Sequence, residues 1–258
     1  FSTTATQPAE AARICSRVGV MAAATDRPAL WRAGPPGCEA VQRSRKLTFA
    51  LRNPGESMAV AGAEDAGHLL TVFSPKGGAG KTTFAVNVGV GLAIKGYSTL
   101  LLDLDLAFGD VPISLGLRPE HDFSEVVNMG ERLDAAALKR LVTVHESGLH
   151  VLAPPTDPGV HERVTIPMLR RLIQVATSEY QYVLADTAPS LDERSITIME
   201  NSDTVFLLTT LDIPSLKNLK IALETLRLVN FPVERLRVVM NRADSKVGQS
   251  ILDRARRL

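Results

Sequence analysis

The sequence predicts an α/β fold, a doubly wound and mostly parallel sheet with helices on both faces, over residues 68–258. Three observations lead to this prediction. From His68 onward, short runs rich in leucine and β-branched residues alternate with helical patterns, which is the rhythm of parallel β-α units. These runs show little alternation of apolar and polar residues, as is typical of strands buried on both faces. Polar motifs follow the ends of the runs, where open α/β sheets bind their ligands.

Each predicted strand is a short apolar run that ends in a polar or glycine-containing loop. In chain order the strands cover residues 69–73, 98–102, 149–152, 182–185, 204–209 and 237–240. Helices are predicted where apolar residues recur at helical spacing. They cover residues 81–95, 122–128, 134–142, 165–179, 191–200 and 214–228, and a basic helix is predicted over 246–258. Gly96 follows the first helix and Pro214 lies in the first turn of the sixth, positions that suit both residues.

Residues 1–67 differ in character from the rest of the chain. Alanine, arginine, proline and glycine dominate there, turn signals interrupt the segment, and no sustained period of two or 3.6 residues is present. We therefore predict a disordered arm or linker over 1–67 and one domain over 68–258. Because the chain begins with Phe1 rather than Met and stops at Leu258 inside a predicted helix, we expect both ends to be truncated.

Composition and charge narrow the classes of function. With 258 residues the chain can form one well-buried α/β domain. Its 29 Lys+Arg and 28 Asp+Glu give a net charge of +1, which disfavours strong non-specific binding to DNA. Cys15 and Cys38 match neither a zinc motif nor a disulfide framework, which favours a reduced, cytoplasmic setting. No apolar run approaches the roughly 18 residues of a membrane-spanning helix.

Residues 74–83, Ser-Pro-Lys-Gly-Gly-Ala-Gly-Lys-Thr-Thr, separate the first predicted strand from the first predicted helix. A phosphate-binding loop occupies this position in α/β proteins. Its glycines let main-chain N–H groups approach phosphate oxygens at the positive end of the helix dipole. Gly77, Gly78, Ala79 and Gly80 are the predicted main-chain donors, and the predicted ligand is a nucleoside triphosphate.

For three side chains of this segment, contacts with the phosphates and with Mg²⁺ are predicted by analogy with phosphate-binding loops in general. Lys81 is predicted to hold the β and γ phosphates, Thr82 to bind Mg²⁺ through its hydroxyl, and Thr83 to bond the α phosphate. The sequence departs from the general pattern at its first position, where Pro75 replaces glycine. A second lysine, Lys76, follows this proline.

The string Lys-Gly-Gly-x-Gly-Lys-Thr-Thr, residues 76–83, resembles the deviant Walker A box of the MinD and ParA ATPases. The resemblance implies an ATPase that dimerises face to face around two bound ATP molecules with Mg²⁺. It also implies that Lys76 is a signature lysine, which reaches the phosphates of the partner subunit and takes part in catalysis with Lys81. ATP and Mg²⁺ are the expected cofactors, and an ATP-dependent homodimer is the expected assembly.

Carboxylates follow two predicted strands. Asp186 ends the apolar run 182–185, the context of a Walker B carboxylate that holds the magnesium hydration shell; the alternative is that it caps the following turn. Asp103, Asp105 and Asp110 crowd the loop after the second strand, and carboxylates this close together need a positive partner. The resemblance places Asp105 in the first switch, where it helps to orient the attacking water. We assign no catalysis to Asp103 and Asp110.

The last predicted strand is followed by Asn-Arg-Ala-Asp, residues 241–244, and two interpretations compete. In guanine-specific phosphate-loop proteins, the Asp of an Asn-Lys-x-Asp box accepts hydrogen bonds from the base, and Asp244 stands at that spacing. In the MinD and ParA group an Asn-Arg pair meets adenine through the Asn amide, which here maps onto Asn241 and Arg242. We predict adenine, because the deviant loop is the more specific signal.

Further strings resemble the CpaE/TadZ branch, the MinD-like ATPases of Flp (Tad) type IV pilus assembly. They lie at residues 102–111, 151–158, 209–218 and 241–248. This resemblance implies a switch that positions pilus machinery, with pilus assembly or secretion proteins as partners. It implies a cytoplasmic location, polar or peripheral at the inner face of the membrane. The receiver-like domain common in that branch does not fit residues 1–67, which are too short and unpatterned.

Two other functions stay open. The chain fits a ParA or MinD partitioning or division-site factor that acts through DNA or membrane binding, with its ATPase as a timer. It also fits a nucleotide-binding scaffold without turnover. Salt-sensitive DNA affinity would favour the first of these, and the absence of phosphate release would favour the second.

Overall fold

The computed structural model describes residues 20–23, 67–157 and 159–242. The strands in this part of the chain are β1 Val20–Ala23, β2 His68–Phe73, β3 Thr99–Leu104, β4 Thr143–Val144, β5 His150–Leu152, β6 Tyr182–Thr187, β7 Thr204–Thr210 and β8 Leu236–Asn241. They form one sheet in the order β1-β8-β7-β2-β6-β3-β5-β4. Among these strands only β4 runs antiparallel, on β5, and every other pairing is parallel. The predicted mostly parallel sheet is confirmed.

Helices fill the connections between the strands. They are α1 Lys81–Ile94, α2 Val111–Leu115, α3 Phe123–Met129, α4 Ala135–Leu141, α5 Val160–Arg163, α6 Ile166–Glu179, α7 Glu193–Glu200 and α8 Ile213–Leu228. Short 3₁₀ turns lie at Gly130–Arg132 and Val233–Arg235. Among the described residues, no helix is both long and apolar enough to cross a bilayer.

Alternate residues of the central strand β2 pack against helices on opposite faces of the sheet. Leu70 and Val72 belong to the core cluster that contains the buried side of α1. Leu69 packs in the cluster formed with α3, α4 and α6, and Phe73 in the cluster formed with α8. Both faces are covered, so the strand is apolar except for His68 at its start and the buried Thr71, and the predicted doubly wound architecture is confirmed.

Aspartate or threonine side chains fix the starts of five helices. Each accepts a hydrogen bond from a main-chain N–H of the first turn, which satisfies a donor that has no partner inside the helix. The capping residues are Asp122 for α3, Asp134 for α4, Thr165 for α6, Asp192 for α7 and Asp212 for α8. The predicted ranges for α3, α4 and α6 began at these caps and therefore start one residue early.

Several short elements were not predicted. β1 lies inside the segment 1–67, where a linker was predicted; apart from this strand and Gly67, that segment lies outside the described residues. The predicted helix over 246–258 also lies outside them. Strands β3 and β6 each run two residues beyond their predicted ends, so Asp103 and Asp186 pair with each other as register neighbours inside the sheet.

The topology collects the predicted site at one edge of the sheet. Parallel strands share a direction, so the carboxyl ends of β2, β3, β6, β7 and β8 meet there. The loop 74–80 follows β2, Asp105 follows β3, Asp186 lies near the end of β6, and Asn241 ends β8.

Candidate nucleotide-binding site

The backbone of the loop 74–80 depends on two glycines with positive φ. Gly78 has φ 73° and Gly80 has φ 93°, in the left-handed region that residues with a side chain rarely adopt. Gly80 is the N-cap of α1, and no side chain in the described part of the chain caps this helix. Its first-turn N–H groups and positive dipole end are therefore available to an anion.

Open space lies over the middle of the loop. Apart from the adjoining residues of the chain, a Cβ atom added at Gly77 or Gly78 would meet no atom of the described residues within 4 Å. Ala79 points the other way, and its methyl group is buried in the core beneath α1. Among the predicted main-chain donors, Gly77 and Gly78 thus border the exposed side of the loop, where a phosphate can approach the backbone.

Asp186 is the most unusual group of the site. It is fully buried, and neither carboxylate oxygen has a hydrogen-bond partner in the described part of the chain. Burial raises its pKa to about 6, while the nearby Thr82 hydroxyl and Lys81 ammonium oppose the shift without completing a hydrogen bond to it. A buried carboxylate without a partner, next to a hydroxyl and an ammonium group, fits a divalent cation. Thr82 and Asp186 remain the residues predicted to hold Mg²⁺.

The structure brings Asp105 close to this centre. Its charge, with that of Asp110, contributes to the raised pKa of Asp186. Its Oδ1 accepts a hydrogen bond from the Phe108 main-chain N–H at 3.3 Å. Asp103 is fully buried beside Asp186, and its pKa is raised to about 8 by burial, with main-chain hydrogen bonds opposing. The charges of Asp105, Asp110 and Lys81 all influence the pKa of Asp186, and the charge of Asp186 influences that of Asp103.

Lys76 has partners within its own chain. Its Nζ donates to Asp212 Oδ1 at 2.9 Å and to Ser215 Oγ at 3.0 Å. Asp212 also accepts from the Thr210 hydroxyl and from the main-chain N–H of Ser215. Partial burial would raise the pKa of Asp212, but the hydrogen bonds from Thr210, Ser215 and Lys76 outweigh it and hold this pKa well below its usual range. The predicted signature lysine is thus docked at the start of α8.

Sequence reasoning missed Thr210, Asp212 and Ser215 as members of the site. They lie in the segment 209–218, which was used only for its resemblance. A signal was present, because Asp212 precedes Ile-Pro and lies three residues before Ser215, the pattern of a helix start directly after a strand. That position places a carboxylate at the ligand-binding edge of the sheet.

Asn241 lies behind the loop rather than open to solvent. Its Nδ2 donates to the Ala79 carbonyl oxygen at 2.9 Å, and its Oδ1 accepts from the Arg242 main-chain N–H at 2.9 Å. A Cβ at Gly80 would lie 2.4 Å from this Nδ2, so the glycine is needed for close approach as well as for its φ. Arg242 adopts φ 53°. Both ends of the Asn241 amide therefore contact the main chain, and Asp244 lies outside the described residues.

Comparison with known proteins identifies relatives. The family described as AAA domain matches residues 67–236. An iron-sulfur cluster carrier protein of Aquifex aeolicus is 30% identical over 188 residues, which cover 68% of this chain and 48% of that protein. The septum site-determining protein MinD of Thermotoga maritima is 25% identical, over 68% of this chain and 64% of that protein. The chain thus spans about half to two thirds of the length of these two relatives. The sporulation initiation inhibitor protein Soj of Bacillus subtilis is 25% identical, over 74% of this chain and 79% of that protein.

Solved structures share the fold. A ParA family ATPase from Chlorobium tepidum superposes with a TM-score of 0.65 at 24% identity, over 74% of this chain and 81% of that chain. The cell division ATPase MinD of Pyrococcus furiosus superposes with a TM-score of 0.58 at 20% identity, over 74% of this chain and 80% of that chain. A cobyrinic acid a,c-diamide synthase of Mycobacterium smegmatis, solved with ADP and magnesium, superposes with a TM-score of 0.57 at 20% identity. The match covers 74% of this chain and 82% of that chain.

Proposed function

Because the chain belongs to the MinD and ParA family of P-loop ATPases, we propose that it binds Mg-ATP at the carboxyl edge of its sheet and hydrolyses it as a dimeric switch. One observation carries the proposal: the loop 74–80 leads into the start of α1, and within the described part of the chain no side chain caps that start and the buried Asp186 beside it has no hydrogen-bond partner. A helix start that can bind an anion, beside a buried carboxylate that can bind a cation, suits a magnesium-bound polyphosphate.

The residues divide the work of phosphoryl transfer. The main-chain N–H groups of Gly77, Gly78 and Gly80 bind phosphate oxygens, and Lys81 neutralises charge on the β and γ phosphates. Thr83, at the exposed side of the first turn, bonds the α phosphate. When bound, Mg²⁺ neutralises further charge on the phosphates. Asp105 accepts a hydrogen bond from the attacking water and holds it in line with the leaving group.

Thr82 and Asp186 supply the protein ligands for the metal or its water shell. Asp186 is fully buried in the sheet, and the groups nearest its carboxylate include Thr82 and Lys81 at the end of the loop. This arrangement strengthens its interaction with a cation, because screening by water is weak at a buried site.

Lys76 acts in trans in this proposal. In the single chain its ammonium group donates to the Asp212 carboxylate and the Ser215 hydroxyl, so engagement of a partner's phosphates exchanges these acceptors for phosphate oxygens. Pairing of two subunits then depends on the γ phosphate, and hydrolysis releases the dimer. Asn241 and Arg242 are proposed to lie beside adenine, with Asn241 also supporting the loop from behind.

Two cellular functions are proposed for the switch, a leading one and an alternative. The strings at 102–111, 151–158, 209–218 and 241–248 support a cytoplasmic or membrane-peripheral protein that positions the Flp (Tad) pilus machinery. The relatives MinD and Soj support the alternative, a partitioning or division-site ATPase that acts through membrane or DNA. The net charge of +1 disfavours DNA as the strong partner.

Calorimetry and sedimentation test the biochemical proposal. We expect ATP to bind only with Mg²⁺, the sedimenting mass to double with ATP and not with ADP, and phosphate to be released. Lys76→Ala is expected to retain ATP binding and to lose dimerisation and turnover. Lys95→Ala, which removes an exposed lysine at the end of α1, is the matched control. Dimerisation and turnover in Lys76→Ala equal to those of the control would overturn the trans role.

A fluorescent fusion in the source bacterium separates the two cellular tasks. Foci that disperse when the pilus secretion genes are deleted support the pilus role. Foci that persist there, together with ATP-dependent retention on anionic vesicles or on DNA that weakens between 50 and 200 mM salt, support the alternative.

A further inference from the structure

Asp103 lies inside the sheet, but its carboxylate bonds to the loop that follows β3. Oδ1 accepts a hydrogen bond from the Asp105 main-chain N–H at 3.3 Å, and Oδ2 accepts one from the Val111 main-chain N–H at 3.0 Å. The two donors lie at the two ends of the segment 105–111. One buried side chain thus closes this segment into a loop around itself.

Gly109 brings the middle of the same segment onto the carboxylate. A Cβ at this position would lie 2.3 Å from Asp103 Oδ1 and 2.5 Å from Oδ2. These distances are far below van der Waals contact, so any side chain at position 109 displaces either the backbone or the carboxylate. The Asp103 carboxylate, the N–H groups of Asp105 and Val111, and the Cα of Gly109 together form what we call the Asp103 clasp.

Apolar burial does not account for the conformation of the segment between its ends. Leu106 and Val111 are buried in different core clusters, and they anchor the two flanks. Between them, Phe108 at the tip is 84% exposed, so burial of its ring contributes little to the conformation of the turn. The clasp, the bond from the Phe108 N–H to Asp105 Oδ1 and the turn hydrogen bond from the same N–H to the Asp105 carbonyl oxygen at 3.2 Å are polar contacts that shape it.

The chemistry of the clasp requires a carboxyl group. Both main-chain partners are donors, so the side chain must offer an acceptor to each, and both oxygens of a carboxyl keep lone pairs in either protonation state. An asparagine amide offers one acceptor and turns its NH₂ group against the second donor. A buried carboxyl group beside Asp186 is costly for stability, which points to a use other than packing.

We propose that Asp103 is a positioning residue for the ATPase reaction: the clasp fixes the segment 105–111 so that Asp105 faces the phosphate site. Asp103 itself touches no reacting atom. This inference rests on the proposed function, in which Asp105 orients the attacking water. A loosened clasp leaves the phosphate cradle and the metal ligands in place, and it changes the orientation of Asp105.

Two substitutions break the clasp by different means. Asp103→Asn removes one acceptor, and Gly109→Ala inserts a methyl group between the loop and the carboxylate. In both variants we expect the amides of 105–111 to exchange hydrogen about tenfold faster and kcat to fall about tenfold or more. The Kd for Mg-ATP is expected to stay within about threefold of wild type, because the loop 74–80 is untouched.

Matched controls carry the same chemical changes outside the segment 105–111 and the loop 74–80. Asp134→Asn alters the N-cap of α4, and Gly159→Ala adds a methyl group where the nearest atom lies at 3.4 Å. Both are expected to keep wild-type exchange over 105–111 and wild-type kcat. If Asp103→Asn fails to fold, Gly109→Ala still tests the clasp with the carboxyl group present.

The readouts separate failure of this inference from failure of the proposed function. A wild-type protein that binds no ATP and releases no phosphate overturns the proposed function. In that case amide exchange still tests whether the clasp holds the segment 105–111. Exchange over 105–111 that matches the controls in both clasp variants overturns the clasp. Faster exchange with unchanged kcat overturns the positioning role.

Discussion

Asp186 shows how a single residue links stability to metal binding. The ordinary pKa of an aspartate is 3.8, and burial raises that of Asp186 to about 6, so the folded protein holds this proton more tightly than the unfolded chain. The contribution of this proton to stability is fully present below about pH 4 and is lost as the pH rises toward 6. Above that range the nucleotide-free protein carries a buried charge without a hydrogen-bond partner among the described residues.

Replacement of this carboxylate is therefore expected to stabilise the nucleotide-free protein while abolishing magnesium-dependent ATP binding. We expect Asp186→Asn to raise the free energy of unfolding by about 2 kcal/mol at pH 8 and to change it little at pH 4. Urea unfolding at both pH values measures this difference. Glu131→Gln, a change to an exposed carboxylate, is the control, and an Asp186→Asn effect that is equal at both pH values would contradict the linkage.

Asn241 gives a second prediction at the scale of one side chain. Because its amide holds the Ala79 carbonyl and the Arg242 N–H, Asn241→Ala is expected to loosen the loop 74–80. Affinity for ATP and for GTP should then fall by a similar factor, about tenfold, in competition binding assays. Asn128→Ala, a change away from the loop, should leave both affinities unchanged. Loss of ATP affinity alone would show instead that the amide reads adenine.

The residues of the site differ in how far the sequence predicts them. Lys81 and Thr82 stand in a string whose spacing indicates a phosphate-binding loop, and Asp186 was assigned from its position at the end of an apolar run. The structure brings the three residues together. The partner of Lys76 could not be found in this way. Asp212 lies 136 positions further along the chain, and its proximity follows from the adjacency of β2 and β7 in the sheet.

Among the secondary-structure elements, the start of α3 depends on one carboxylate. Asp122 Oδ1 accepts from the Ser124 N–H at 2.7 Å, and Oδ2 accepts from the N–H and the hydroxyl of Thr156 at 3.0 and 2.8 Å. Burial raises the pKa of Asp122, but these hydrogen bonds outweigh it and lower the pKa below its ordinary value. The stabilisation is therefore present above about pH 4 and is lost as the pH falls through the lowered pKa.

Removal of this cap is expected to weaken the whole α3 region. Asp122→Ala should lower the free energy of unfolding by about 1–2 kcal/mol at pH 7, and the difference from wild type should shrink at pH 2. Chemical denaturation followed by circular dichroism measures both values. Asp122→Asn keeps one acceptor for the helix and loses one for Thr156, so its free energy of unfolding should lie between those of wild type and Asp122→Ala. A constant difference across this pH range would mean that the carboxylate charge is irrelevant.

Element length explains which parts of the fold the sequence predicts. The long helices α1, α6 and α8 and the predicted strands between them form apolar segments that are set off by turn and capping residues, and their bounds were predicted to within one or two residues. β1, α2, β4 and α5 contain two to five residues, too few for any period to be visible. The extensions of β3 and β6 through Asp103 and Asp186 also escape pattern reading, because main-chain pairing between neighbours keeps an aspartate in the strand.

At the scale of the whole molecule, the sheet order predicts a gradient of local stability. β2 pairs with β6 on one side and β7 on the other, and five of its six residues are buried. β4 pairs with β5 alone, has two residues, and neither is buried. Hydrogen exchange should therefore be slowest in β2 and β6 and fastest in β4. Protection in β4 equal to that in β2 would show that the sheet opens only as a unit.

The position of β2 also has a consequence for synthesis on the ribosome. The strand that leads into the phosphate loop finds its two sheet neighbours at residues 182–187 and 204–210, more than 100 positions later. Pairings this distant in the chain form only after the intervening segments have left the exit tunnel. A nascent chain thus carries a complete glycine-rich motif long before it carries a rigid cradle. Capture of nucleotide should mark the moment at which translation has passed the β7 segment.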